Sequence, residues 1–169
     1  MNKTKAKIYL FTDASVNPQS GIGYGAYLLV DTLEYLSAEL EQNILLKKFD
    51  NTSSTQLELE TLLWAFDDAS LATFKIVVYT DCQNIIGLQA RRERFEKNNY
   101  ITSKGKQIKN HELYREFFKR LDILDCEFTK IKGHKKSSVK NEIDEIFTLV
   151  DRATRKALRN LPKINENKL

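Results

Sequence analysis

Cysteine is nearly absent from this chain. Cys82 and Cys126 are its only two, they lie far apart, and they form no CxxC pair. A disulfide framework or a thiolate zinc site is therefore not expected, and a reducing, cytoplasmic setting fits better. No apolar run approaches the roughly 20 residues that a membrane-spanning helix requires, so no membrane partner is expected. The N-terminal Met1-Asn2-Lys3-Thr4-Lys5 is basic. A strand-like segment follows it, not the apolar stretch and small-residue cleavage site of an exported precursor, so export is not expected. Proline occurs twice, at Pro18 in a turn cluster and at Pro162 beyond the last helix, and histidine only as His111 and His134. No internal repeat or low-complexity segment stands out. What remains is ordinary for a folded protein: 41% hydrophobic and 30% charged residues, which argues against global disorder. The simplest organisation is one domain, residues 1–169, long enough for a real core.

The charge is modest in sum and uneven in place. The net charge is +4. Residues 91–109 carry seven cations (Arg91, Arg92, Arg94, Lys97, Lys104, Lys106 and Lys109) against two anions, Glu93 and Glu96, so this stretch holds +5 and the remainder about −1. A local basic patch at about residues 88–110 on a balanced protein suggests a polyanionic partner, although a solvated helix face would look the same by charge alone.

Taken in order, residues 6–15 read as a first strand and Asn17-Pro18-Gln19-Ser20-Gly21 as a turn. Residues 23–31 read as a second strand, and Glu34 to Phe49 as a third, partly exposed one. Three strands in succession imply an antiparallel meander. Asn51-Thr52-Ser53-Ser54-Thr55 is an N-cap signature. The helix after it carries Leu59, Leu62, Leu63, Phe66 and Ala69 at helical spacing, with Glu58 in its first turns. Lys75 to Thr80 is a fourth strand, joined in parallel through that helix. A short helix (Cys82 to Leu88), a loop (Tyr100 to Lys106), an amphipathic helix (Glu112 to Leu124), a fifth strand (Cys126 to Lys132) and a last helix (about Glu142 to Asn160) follow. The order predicts an α/β domain, a mixed sheet with helices on its faces.

Two strands end alike. Ile8-Tyr9-Leu10-Phe11 runs into Thr12-Asp13, and Ile76-Val77-Val78-Tyr79 runs into Thr80-Asp81. Two carboxylates at one sheet edge repel unless a cation holds them. Glu58, at a helix start, can converge on the same edge, and a fourth acidic residue stands in the last helix. Singly these are ordinary: a strand-end aspartate forms turns, and an early-helix glutamate answers the helix dipole. Together they suit a hard divalent ion, which takes carboxylate oxygens and serves phosphodiester chemistry.

Thr12-Asp13-Ala14-Ser15, Gln56-Leu57-Glu58-Leu59-Glu60, Thr80-Asp81-Cys82-Gln83-Asn84 and Lys132-Gly133-His134 occur here in order. In that order and spacing they resemble type 1 ribonuclease H, as does Lys109-Asn110-His111-Glu112-Leu113-Tyr114 after a basic protrusion. The resemblance spans about residues 6–158. It implies the ribonuclease H-like fold: a five-stranded sheet with the first three strands antiparallel, the fourth and fifth parallel to the first, and helices on both faces. It implies an endonuclease that cuts the RNA strand of RNA–DNA hybrids with two Mg²⁺ ions, Mn²⁺ being an alternative. Water activated by the metal attacks, leaving 5′-phosphate and 3′-hydroxyl ends. The metal ligands it implies are Asp13, Glu58, Asp81 and Asp151. The substrate contacts it implies are Ala14, Ser15, Asn17, Ser53, Ser54, Thr55, Gln83, Arg91, Arg92, Arg94 and Asn110. A monomer is the default expectation.

The chain departs from the family pattern in places. Ser54-Thr55 stand where asparagines are common. Asp144 and Asp151 share a helical face and compete for the fourth position. Asp151 is preferred because Asp151-Arg152-Ala153-Thr154-Arg155 is similar to the family's helix, with small residues where it packs. His134 matches a Gly-His that is usually structural, and lysines from Lys135 to Lys140 stand in the loop where the family often has a histidine. Three rival readings are a DNA-acting nuclease of the same fold, an inert hybrid-binding module and a structural α/β protein with incidental carboxylates.

Overall fold

The computed structural model describes residues 5–34, 37–132 and 141–162. Five strands make one sheet: β1 (Lys7–Asn17), β2 (Ile22–Val30), β3 (Leu45–Phe49), β4 (Lys75–Thr80) and β5 (Asp125–Lys130). Their order across the sheet is β3-β2-β1-β4-β5. β1 pairs antiparallel with β2 and parallel with β4, β2 antiparallel with β3, and β4 parallel with β5. This is the mixed sheet expected from the sequence.

Alternation along β1 divides the core. Ile8 and Leu10 join one apolar cluster and Phe11 the other, as the two-residue period of a strand requires. The first cluster lies under α2 (Ser54–Phe66) and α5 (His111–Ile123), the second under α6 (Glu142–Arg159). Helices therefore cover both faces. No helix among the described residues is long and apolar enough to cross a membrane.

The third strand is a correction. Instead of one strand from Glu34 to Phe49, a short helix, α1 (Ser37–Glu41), precedes a five-residue β3. Leu40 is fully buried in the α6-side cluster, and burying that one side chain from the connection favours a helical turn over a longer edge strand. β3 is left at the sheet edge with Leu45 and Leu46 exposed.

Two glycines set the depth of α2. A Cβ on Gly25 would fall 2.0 Å from the Thr61 Oγ1, and one on Gly23 would fall 2.4 Å from the Leu57 Cδ2. Only bare backbone on β2 admits the helix this close. Glu58 lies between Leu57 and Thr61 in sequence, so the glycines bring its carboxylate down to the sheet. After β4 come α3 (Gln83–Ile86) and then the basic segment, which holds a 3₁₀ turn (Gln89–Arg91) and α4 (Arg92–Lys97). The chain then turns through Asn99 and Tyr100, both left-handed, before reaching α5.

Candidate metal centre

Asp13 does not end its strand. β1 continues to Asn17 against β2, where Asp13 faces Ala26. What ends nearby is the pairing with β4, whose last registered pair is Phe11 with Tyr79. Continued by two residues, that register puts Asp13 level with Asp81, which follows the last residue of β4. The strands part there, and the opening lies at the carboxyl end of the parallel β1–β4 pairing, the kind of place where open α/β sheets hold their ligands. Glu58 enters from the second turn of α2. One carboxylate oxygen from each of Asp13, Glu58 and Asp81 lies within 4.8 Å of the others.

This convergence is costly without a cation. Asp13 is 4% exposed and Glu58 8%. Burial, then the charges of Asp151 and Asp81, push the Asp13 carboxyl up to about 7, against a hydrogen bond from Thr154 that lowers it. Burial, followed by Asp13 and Asp81, raises the Glu58 carboxyl well above the usual carboxylate range. The Glu58 Oε2 is buried with no hydrogen-bond partner among the described residues. A buried carboxylate oxygen without a partner, on a residue clustered with two other carboxylates, fits a hard divalent ion, which takes several oxygens and cancels the repulsion. The donor set is all oxygen, as Mg²⁺ or Mn²⁺ requires.

Residues 5–158 match the RNase H family. The chain belongs to the RNase H family. It is 28% identical over 144 residues to a ribonuclease H of Caldicellulosiruptor saccharolyticus, covering 83% of this chain and 92% of that protein. It is 33% identical over 131 residues to a ribonuclease H of Pseudoalteromonas atlantica, covering 75% and 78%. The solved PFV RNase H domain superposes with a TM-score of 0.69 at 16% identity, over 93% of this chain and 96% of that one. At that identity the likeness speaks for the fold.

As an RNase H family member the chain offers two aspartates on α6 as candidates for the fourth ligand, and their surroundings differ. Asp144 is spent on the helix itself. Its carboxylate accepts from the Asn141 backbone N–H at 3.1 Å while the Asn141 side chain accepts from the Asp144 N–H at 3.0 Å, a complete capping box. Asp151 lies seven residues on, about 10 Å along the helix, close enough to Asp13 to raise its pKa. It is not one of the three clustered carboxylates, and its Oδ1 accepts from the Arg155 Nε at 2.7 Å. Asp144→Asn is expected to cost about 1 kcal/mol of stability through the cap and to leave activity near wild type. Asp151→Asn is expected to lower activity with little change in melting. Thermal melts and cleavage rates of the two variants check this, and the opposite pattern would move the fourth ligand to Asp144.

The remaining candidate residues fall into two sets. Ser53, Ser54 and Thr55 stand at the N-terminal end of α2, one turn before Glu58; Ser53 is half-buried and makes no side-chain cap, and the other two are exposed. Gln83 is exposed at the start of α3, its side-chain oxygen accepting from Lys130. Asn110 opens α5 in a left-handed conformation without using its side chain as a cap. Ala14 and Ser15 are half-buried beside Asp13. Asn17 is partly engaged, its Oδ1 accepting from the N–H groups of Gln19 and Ser20.

Arg91 and Arg92 are engaged within the protein. The Arg91 guanidinium donates to the Gly87 carbonyl and to both the backbone carbonyl and the side-chain oxygen of Asn84. Arg92 forks onto Asp122 at 2.6 and 2.9 Å and also holds Glu96. The Arg92 charge is met by carboxylates and the Arg91 donors are taken up by carbonyl oxygens, so the cations of the protrusion left to face solvent are Arg94, Lys97, Lys104, Lys106 and Lys109, all exposed. Arg94 also lies over the Phe95 ring. Cys82, half-buried beside Asp81 with its thiol pushed up by burial, is a packing residue. His134 and the lysines from Lys135 to Lys140 lie outside the described residues.

Sequence reading missed the role of Thr154. It stands in the inner stripe of α6, fully buried, and its hydroxyl reaches the Asp13 carboxylate at 2.8 Å. The available signal was a hydroxyl residue one turn beyond Asp151, on the face that packs against the strand carrying Asp13.

Proposed function

We propose that this chain hydrolyses the RNA strand of RNA–DNA hybrids at a divalent metal centre formed by Asp13, Glu58 and Asp81, with Asp151 completing it on the α6 side. The observation that carries the reading is the convergence of three buried or half-buried carboxylates with one oxygen left unpartnered. Bound there, Mg²⁺ or Mn²⁺ ions, two when substrate is present, would activate the attacking water and offset charge developing on the phosphodiester. The chain's own residues do the rest. Asp13, Glu58 and Asp81 hold the ions and keep them at one place on a rigid sheet. Ser53, Ser54, Thr55 and Gln83 line the approach with short donors and acceptors of the kind that can read a 2′-hydroxyl. Ala14, Ser15, Asn17 and Asn110 border it. The protrusion follows the phosphate backbone with its free cations.

All the carboxylates come from one chain, which favours a monomer as the active unit. Free Cys82 and Cys126 favour a reducing, cytoplasmic setting.

The reading is tested by offering a labelled RNA strand as RNA–DNA hybrid, RNA duplex and single strand, and a labelled DNA duplex, each with Mg²⁺ and with chelator. Metal-dependent cutting of RNA in the hybrid alone, leaving 5′-phosphate ends, is expected. Binding without cutting would favour an inert module, and cutting of DNA duplex would favour a DNA-acting relative.

The protrusion makes a separate prediction. Replacing Lys97, Lys104, Lys106 and Lys109 with Ala is expected to weaken hybrid binding and to flatten its salt dependence. The log–log slope should fall by roughly 0.7 to 0.9 for each phosphate that is no longer neutralised. Arg92→Ala is expected to leave the slope nearly unchanged and to lower stability by at most about 1 kcal/mol, since its ion pairs are partly exposed. Filter binding across a salt series decides it. An unchanged slope in the lysine variant would place the phosphate track elsewhere.

A further inference from the structure

The hydroxyl of Thr154 sits where three oxygens meet. It lies 2.8 Å from the Asp13 Oδ2, 3.0 Å from the Ser15 Oγ and 2.9 Å from the backbone carbonyl of Asp151. A hydroxyl has one proton to give. The carbonyl of Asp151 lies inside α6 and has the helical N–H as its partner. Against an ionised carboxylate, the charge-assisted bond is the stronger use of that proton. Ser15 then donates to Thr154, which donates to Asp13. The chain of bonds crosses from β1 to α6 at the fully buried Thr154, one turn beyond Asp151.

We infer that Thr154 is a positioning residue for the metal centre: its hydroxyl clasps α6 to β1 and fixes the carboxylate of Asp13 in the orientation that meets Glu58 and Asp81. The inference rests on the reading of those three residues as metal ligands. Tying one oxygen of Asp13 stops the group turning about its last bond, so the other oxygen keeps a constant place. Because the same residue belongs to the helix turn beyond Asp151, it also sets how near that carboxylate stands to the cluster. Groups that orient metal ligands in this way act on affinity without touching the ion.

The test compares wild type with Thr154→Val, Thr154→Ala and Thr154→Ser. Mn²⁺ affinity is measured by calorimetry without nucleic acid, and melting is measured in chelator. Thr154→Val keeps the shape and removes the hydroxyl; Thr154→Ala removes it as well, should the Val variant fail to fold. Loss of the hydroxyl is expected to weaken Mn²⁺ binding about tenfold or more, with Thr154→Ser close to wild type. In hybrid cleavage, kcat is expected to fall while KM for the hybrid holds. Equal Mn²⁺ affinity in all four proteins would overturn the inference, as would a Ser variant as weak as the Val variant. If wild type binds Mn²⁺ but leaves hybrids intact, the proposed activity fails while the affinity comparison still judges Thr154. If wild type binds no divalent ion, both fall.

Discussion

Asp13→Asn is expected to abolish hybrid cleavage and to leave hybrid binding intact or tighter. The substitution preserves shape and the neighbouring hydrogen-bonding groups but removes the charge at the centre of the carboxylate cluster. A metal-centred displacement loses its seat for the ion, and a loss of about 4 kcal/mol of transition-state stabilisation is about a thousandfold in rate. Binding changes the other way because a negative group has left the path of the phosphates. The variant is also expected to melt higher than wild type in chelator, since it ends the repulsion with Glu58 and Asp81. Cleavage rates, hybrid binding and melting of the one variant give three independent readings. Weakened binding together with retained cleavage would remove Asp13 from the centre.

The second large effect is on stability, and its sign follows from Asp13. Its carboxyl is pushed from an ordinary 3.8 to about 7, by burial first and by Asp151 and Asp81 after that. Between those values the folded chain keeps a proton that the unfolded chain has released. Stability without metal is therefore greatest near and just below pH 4 as far as this group is concerned, and falls as pH rises towards 7. The loss is on the order of a few kcal/mol. Glu58 shifts in the same direction. A divalent ion takes over the role of the proton, so its stabilising effect grows as pH rises through the window. In chelator the melting temperature is expected to fall from pH 5 to pH 8. Mg²⁺ is expected to restore it at pH 8 and to do little at pH 5. Asp13→Asn is expected to flatten both trends. A melting temperature that rises across this range in chelator would contradict the electrostatics of the site.

These effects trace to features of unequal visibility in the sequence. β4 and Asp81 were legible because Ile76 to Tyr79 is a short, continuous apolar run with one plausible conformation and a polar stop. α6 was legible because its inner stripe keeps helical spacing over several turns. β3 was not, because an edge strand of five residues with exposed Leu45 and Leu46 has neither alternation nor burial to mark it, and Leu40 buries itself from a helix that lies between. Asp13 and Glu58 were readable as types in a pattern; that β1 runs on to Asn17, past the residue 15 expected from the sequence, was not, because the pairing with β2 that extends it depends on the partner strand. Charge counting located the protrusion. It could not reveal that Arg92 is committed to Asp122, thirty residues away, or that Arg91 closes the turn through Asn84. Thr154 reads in sequence as a polar interruption of an apolar stripe, and its meaning emerges only when β1 is set beside α6.

The most direct test is a crystal of the chain with Mn²⁺ and a hybrid that resists cleavage, with anomalous scattering recorded at the manganese edge. Anomalous peaks are expected among carboxylate oxygens of Asp13, Glu58 and Asp81, with Asp151 facing the same group of ions and the scissile phosphate of the RNA strand against them. Manganese bound elsewhere, or a hybrid seated with no ion among those carboxylates, would contradict a metal centre at this sheet edge.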